Sequence, residues 1–151
     1  MPATKYFEDF DVGPTVEIGR YVVTQEEILA FARQYDPQPF HTDPVKALDS
    51  IYGGLIASGW HTCAIAMRVT GDAYLAEAAS MGSPGMEEIR WLKPVRPGDT
   101  LTVTRTVEEA RPTSKPDRGL ILTRFDLYNQ REEHVMMMRG YGLFGRRLLS
   151  G

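Results

Sequence analysis

Leu55-Ile56-Ala57-Ser58-Gly59-Trp60-His61-Thr62-Cys63-Ala64-Ile65-Ala66-Met67-Arg68-Val69 is apolar on almost every side of a helical wheel. A helix without a polar face belongs inside a core rather than on a surface. Ser58, His61, Thr62 and Arg68 interrupt the run, and it falls short of the roughly 20 apolar residues that a membrane span needs. The stretch therefore predicts a buried helix beginning near Leu55. Whatever surrounds it must wrap around it.

The flanking sequence supplies the wrapping. Upstream, residues 1–15 form an irregular lead-in with a turn at Gly13-Pro14. Val16 to Val23 is rich in β formers and predicts a strand. Thr24-Gln25-Glu26-Glu27 fits a capping box that opens a helix over about residues 25–34. Pro37 and Pro39 make Tyr35 to His41 a rigid, non-helical excursion. Asp43-Pro44 then starts a short helix that closes at Ile51-Tyr52-Gly53-Gly54. Downstream, residues 77–85 read as a loop. Strands follow at Met86–Leu92, Thr100–Glu108, Gly119–Asn129 and His134–Phe144. Their connections are short, which implies antiparallel neighbours. One strand, a helical middle and four more strands predict an α+β architecture, a curved antiparallel sheet around one long helix.

Composition narrows the function. The 151 residues suit one domain spanning 1–151. A net charge of −3 argues against a nucleic-acid surface. The lone Cys63 excludes an internal disulfide and points to a reducing, cytoplasmic setting. Cys63 lies in the apolar helix without cationic neighbours and reads as an inert buried thiol. Neither a signal peptide nor a membrane span is expected. Arg146-Arg147 reads as a solvated end.

Phe31-Ala32-Arg33-Gln34-Tyr35-Asp36-Pro37-Gln38-Pro39-Phe40-His41-Thr42-Asp43 resembles the hydratase signature of the MaoC-like, (R)-specific enoyl-CoA hydratase family. Asp36, Pro39, Phe40, His41 and Asp43 match it in place. Tyr35 stands where the family has glycine, and Gln38 where it has asparagine. Ile56-Ala57-Ser58-Gly59-Trp60 sits where the family's central helix opens, and Arg90 to Leu101 resembles its strand-turn-strand. Some members carry a serine later in the central helix, at the position of Met67 here.

The resemblance implies a single hot-dog domain, usually dimeric or a dimer of dimers. Its substrates are enoyl thioesters of coenzyme A or an acyl-carrier protein, with no metal and no organic cofactor. It implies Asp36 and His41 as the acid/base pair and the Gly59 amide as oxyanion donor. Tyr35, Gln38, Ser58 and Trp60 become candidate substrate contacts.

These residue types suit the chemistry. Adding water to an enoyl thioester removes a proton from water, delivers one to C2 and builds charge on the thioester oxygen. Imidazole and carboxylate together manage protons near neutral pH. A free amide at a helix start meets developing negative charge. Arg90, Lys93 and Arg96 are candidates by charge for the phosphates of coenzyme A. His61 reads as a buried, satisfied histidine, His134 as a strand residue and Asp43 as a helix cap; the spacing of His41, Asp43 and His61 fits no usual zinc pattern. Two other readings stay open. A hot-dog thioesterase would want a carboxylate on the central helix, where Leu55 to Gly71 offers none. A non-catalytic thioester-binding subunit would not need both Asp36 and His41. Direction, chain length and the identity of the first proton acceptor remain open at this level.

Overall fold

The computed structural model describes residues 3–147. Its strands are β1 (Thr15–Val22), β2 (Met86–Trp91), β3 (Thr100–Pro112), β4 (Arg118–Tyr128) and β5 (His134–Gly145). Its helices are α1 (Gln25–Tyr35), α2 (Pro39–Thr42), α3 (Pro44–Ala47) and α4 (Gly59–Ala73). The strands form one sheet in the order β1-β3-β4-β5-β2. Every neighbouring pair is antiparallel. β1 and β2 are therefore the edges.

The apolar helix is where the sheet closes around it. Ile65, Ala66 and Val69 of α4 are buried in one cluster with Leu101 and Val103 of β3, Leu127 of β4, and Val135, Met136 and Met138 of β5. α4 also comes close to β1. A Cβ built on Gly19 would lie 2.8 Å from Val69 Cγ1, closer than real side chains come. Glycine there lets helix and strand touch backbone to side chain. The register of β1 against β3 shifts at the same place, between Glu17 and Gly19, and such a bulge bends a strand. A helix held by a bent antiparallel sheet is what the sequence pattern anticipates, and it is the hot-dog arrangement that the resemblance implies.

Several local expectations change in detail. α4 begins at Gly59 rather than near Leu55, because the Ser58 side chain caps it by accepting the Trp60 amide. Residues 55–58 are instead stitched to other segments, with the Ile56 amide on Phe40 O and the Ala57 amide on Val95 O. The Tyr35–His41 excursion, expected to be non-helical, is helical at both ends: Tyr35 closes α1, and Pro39 opens the single turn of α2, where a missing N–H costs nothing. Thr24 caps α1 by accepting the Glu27 amide, but the Glu27 carboxylate accepts from the Tyr21 hydroxyl instead of completing a capping box. β3 runs on to Pro112, whose register partner is Gly119. Arg146 and Arg147 are not a free end: they pair with Glu8 and Asp9.

Ile65 is fully buried at the centre of the core. Ile65→Ala should lower unfolding stability by about 2–5 kcal/mol in a urea titration, with the slope unchanged.

Candidate active site

Asp36 precedes a proline, and that position disfavours helical backbone. α1 accordingly ends at Tyr35, and Asp36 turns to φ −151° and ψ 71° as its C-cap. The chain then needs only two residues to reach α2, which carries His41. The two side chains meet there, with Nε2 of His41 3.3 Å from Oδ2 of Asp36. They line a cavity of about 390 Å³ together with Gln38, Phe40, Gly59, Trp60, Thr62 and Trp91.

Each member of the pair is held from behind. His41 is 5% exposed, and its Nδ1 lies 2.8 Å from the Ile56 carbonyl oxygen. A carbonyl only accepts, so Nδ1 carries the proton and a neutral His41 presents a lone pair at Nε2. Asp36 accepts from Gln38 Nε2 at 2.7 Å on Oδ1 and from Ser58 Oγ at 2.7 Å on Oδ2. Burial pushes its pKa upward, but the Ser58 and Gln38 hydrogen bonds and the neighbouring His41 outweigh that. The Asp36 carboxyl ends below the usual range and is ionised at neutral pH. An acceptor nitrogen and a carboxylate facing one space suit a water that donates one hydrogen to each.

Gly59 is the first residue of α4 and lines the same cavity. The first amides of a helix have no intrahelical acceptor and sit at the positive end of its dipole. Gly59 also has a packing reason to be glycine. A Cβ there would fall 2.5 Å from the Trp91 indole, whose Nε1 donates to Gly59 O at 2.9 Å. Trp60 meets Trp91 edge-on, with centroids 5.2 Å apart.

The remaining sequence candidates divide. Gln38 and Trp60 line the cavity; Ser58 does not, being 0% exposed behind Asp36. Tyr35 lies away from it. α1 continues through Tyr35, so the residue before Asp36 projects to another side; it is 66% exposed and lines a smaller groove between α1 and α4 with Phe31, His61 and Arg68. His61 is buried and stacked on Phe31, but neither ring nitrogen has a well-aligned hydrogen-bond partner. Its Nε2 lies 3.3 Å from Glu27 Oε1 without the angle of a hydrogen bond. Asp43 caps α3 through the Val45 and Lys46 amides. His134 pairs with Asp126. Burial pushes the Cys63 thiol pKa up, away from nucleophilic character. Of the three cations considered for phosphates, Lys93 reaches the cavity but pairs with Glu133, and Arg96 donates to Tyr52 O. Arg90 is exposed on β2. Among the described residues no cluster of three His, Cys, Asp or Glu side chains forms a metal-sized set. No helix among them is long and apolar enough to cross a membrane.

Sequence reasoning missed Trp91, Thr62, Phe40 and Val95 as cavity walls. An aromatic on a strand or a threonine in a helix carries no signal of its own. They become visible only once β2 and the 94–95 segment are folded over the start of α4.

Comparison with known proteins agrees with the fold. The profile of a family described as the MaoC like domain matches residues 11–122. The crystal structure of the MaoC-like dehydratase from Rhodospirillum rubrum is 40% identical, with a TM-score of 0.87 over 97% of this chain and 100% of that one. The (R)-hydratase from A. caviae involved in PHA biosynthesis shares the fold, with a TM-score of 0.71 at 20% identity over 89% of this chain and 97% of its own. The uncharacterised protein YdeM of Bacillus subtilis (strain 168) is 28% identical over 128 residues, 85% of this chain and 90% of YdeM.

The Gly59–Trp91 contact is directly testable. Gly59→Ala should push the indole aside and break its bond to Gly59 O, costing about 1 kcal/mol of stability. Tryptophan emission should shift to the red as Trp91 becomes wetter.

Proposed function

The chain belongs to the MaoC-like domain family, and from that premise we propose that it is a hydro-lyase that adds water to a trans-2-enoyl thioester, or removes it from the (R)-3-hydroxyacyl product. The observation that carries the reading is the Asp36–His41 pair, 3.3 Å apart in a cavity that also exposes the first residue of α4.

The steps follow from the groups present. A water held between Asp36 and His41 attacks C3 of the substrate. His41 takes its proton at Nε2, since Nδ1 is already committed to Ile56 O. Asp36 accepts a hydrogen bond from the water's other hydrogen, which stays on the oxygen as that of the product hydroxyl, and stabilises the imidazolium that forms. As the C3–O bond forms, the C2–C3 π electrons move onto the thioester oxygen, where the Gly59 amide and the α4 dipole meet the charge. The enolate collapses as the imidazolium returns its proton to C2, restoring the pair. Burial of His41 and partial burial of Asp36 keep these charges in a medium where fixed dipoles count for more than in water. The substrate's acyl carrier is a coenzyme A or carrier-protein thioester.

The thioesterase alternative has less support. α4 carries a single acid, Asp72, paired with Arg68 near the helix end, about 20 Å along the axis from Gly59.

The working unit in this reading is a dimer of the same chain. β2 is a sheet edge, and Met86 and Trp91 on it, Leu92 just after it, and Trp60 and Met67 on α4 are exposed apolar side chains. An unpaired edge beside such a patch favours pairing with a second copy. Sedimentation should give twice the 17.0 kDa chain mass, and Trp91→Arg should shift it toward the monomer. A monomer at every concentration would remove the dimer from the reading.

The reaction itself is tested by the loss of conjugated-thioester absorbance with crotonyl-CoA and longer enoyl-CoAs. The wild type should give the (R) product. Asp36→Asn and His41→Ala should each lower kcat by roughly 10²-fold or more while remaining folded. Release of free thiol without hydration would favour the thioesterase.

A further inference from the structure

Ser58 has no access to substrate, since it is completely buried, yet it makes two contacts that no other side chain combines. Its hydroxyl hydrogen goes to Asp36 Oδ2 at 2.7 Å. Its oxygen accepts the Trp60 amide at 3.3 Å and so caps α4. The first contact reaches the carboxylate oxygen that also faces His41. The second fixes the helix turn that begins with Gly59.

We infer that Ser58 is a positioning residue, whose single hydroxyl locks the Asp36 carboxylate to the first turn of α4, so that the acid/base pair and the Gly59 peptide move as one body. The inference rests on the hydro-lyase reading for its kinetic consequences, but its geometric content stands apart from the reaction. Asp36 lies on the α1–α2 connection, and Gly59 lies on a different element some twenty residues later. Packing alone leaves a carboxylate free to rotate about χ2. A hydrogen bond to an ionised group is short and directional, and removes that freedom.

The groups facing Asp36 are few. Gln38 approaches from its own connection, His41 from α2 and Ser58 from the start of α4. His41 is the one titratable group among them. Gln38 holds the outer oxygen, Oδ1, and is exposed, so it can exchange its bond with water. Ser58 holds the inner oxygen and cannot. The hydroxyl is also one of the influences that lower the Asp36 pKa. Its removal should therefore raise the Asp36 titration midpoint as well as loosen the carboxylate.

Three substitutions separate positioning from simple capping. Ser58→Ala removes both contacts. Ser58→Gly removes the donor to Asp36 but leaves a residue that is nearly as good at an N-cap. Ser58→Thr keeps the hydroxyl. Two readouts are taken on the full chain: hydration kinetics, and a carbon-13 carboxyl NMR titration of Asp36 without substrate. Positioning predicts that Ala and Gly both lower kcat by about tenfold or more, with KM changed less than about threefold, the signature of a loss felt in the transition state. Both should raise the Asp36 midpoint, and Thr should restore both quantities. If Ser58 were only a cap, Gly would behave as wild type and Ala would lose stability alone; that result overturns the inference, as does a shifted midpoint with unchanged kcat. Should the Ala variant fail to fold, Gly against wild type decides. If the wild type hydrates nothing while the midpoint still rises in Ala and Gly, the proposed reaction fails and the lock stands. If the wild type is active and the midpoint stays still, the lock fails and the reaction stands.

Discussion

The bond from the Trp60 amide to the Ser58 hydroxyl decides where α4 begins, and much of the molecule is arranged around that beginning. Were the helix to start at Leu55, the apolar run would be uninterrupted and its first turn would displace the segment that joins Phe40, His41 and Val95. Starting at Gly59 frees residues 55–57 to act as connectors, with amides and carbonyls given to neighbouring segments. It also sets a glycine where Trp91 from the edge strand can lie flat against the backbone. Sheet, helix and cavity thus share one boundary. The core along the rest of α4 supplies the stability that holds this boundary in place.

Charge in the cavity is arranged by neutral groups more than by ions. Asp36 is kept ionised chiefly against burial by a serine and a glutamine, and His41 is oriented by a peptide carbonyl. Lys93, which lines the cavity, is occupied by Glu133, and Arg96 by Tyr52 O. The ionised Asp36 carboxylate is thus steadied mainly by oriented dipoles, which need little reorganisation as charge develops.

How much of this was legible in the chain differs by kind of signal. The apolar helix and the run of late strands were readable because a long apolar run and short connections leave marks in sequence, but the helix is not buried all round: Trp60, Met67 and Arg68 leave one face of α4 exposed. Asp36, His41 and Gly59 were readable through a resemblance, and Asp36 and His41 lie on one short proline-stiffened segment of the chain. The start of α4 was not readable, because Leu55, Ile56 and Ala57 suit a helix as well as an extended connector; long-range bonds to Phe40 and Val95 chose between them. Tyr35 was expected as a substrate contact because it stands in the signature stretch, but one more helical residue turned it to the other groove. Trp91 had no local mark, since its importance arises from a contact across 32 positions.

The Ile56 carbonyl that fixes the His41 tautomer has a separate consequence. It belongs to the main chain, and residue 56 offers the same oxygen whatever its side chain. No ordinary point substitution can delete it. The imidazole's orientation is therefore insulated from sequence drift at residue 56, while the carboxylate facing it depends on Ser58 and Gln38, which single-base changes can remove. Across descendants of this chain, variation in the tuning of the pair should accumulate on the carboxylate's side, with the imidazole's side left as an inherited constant.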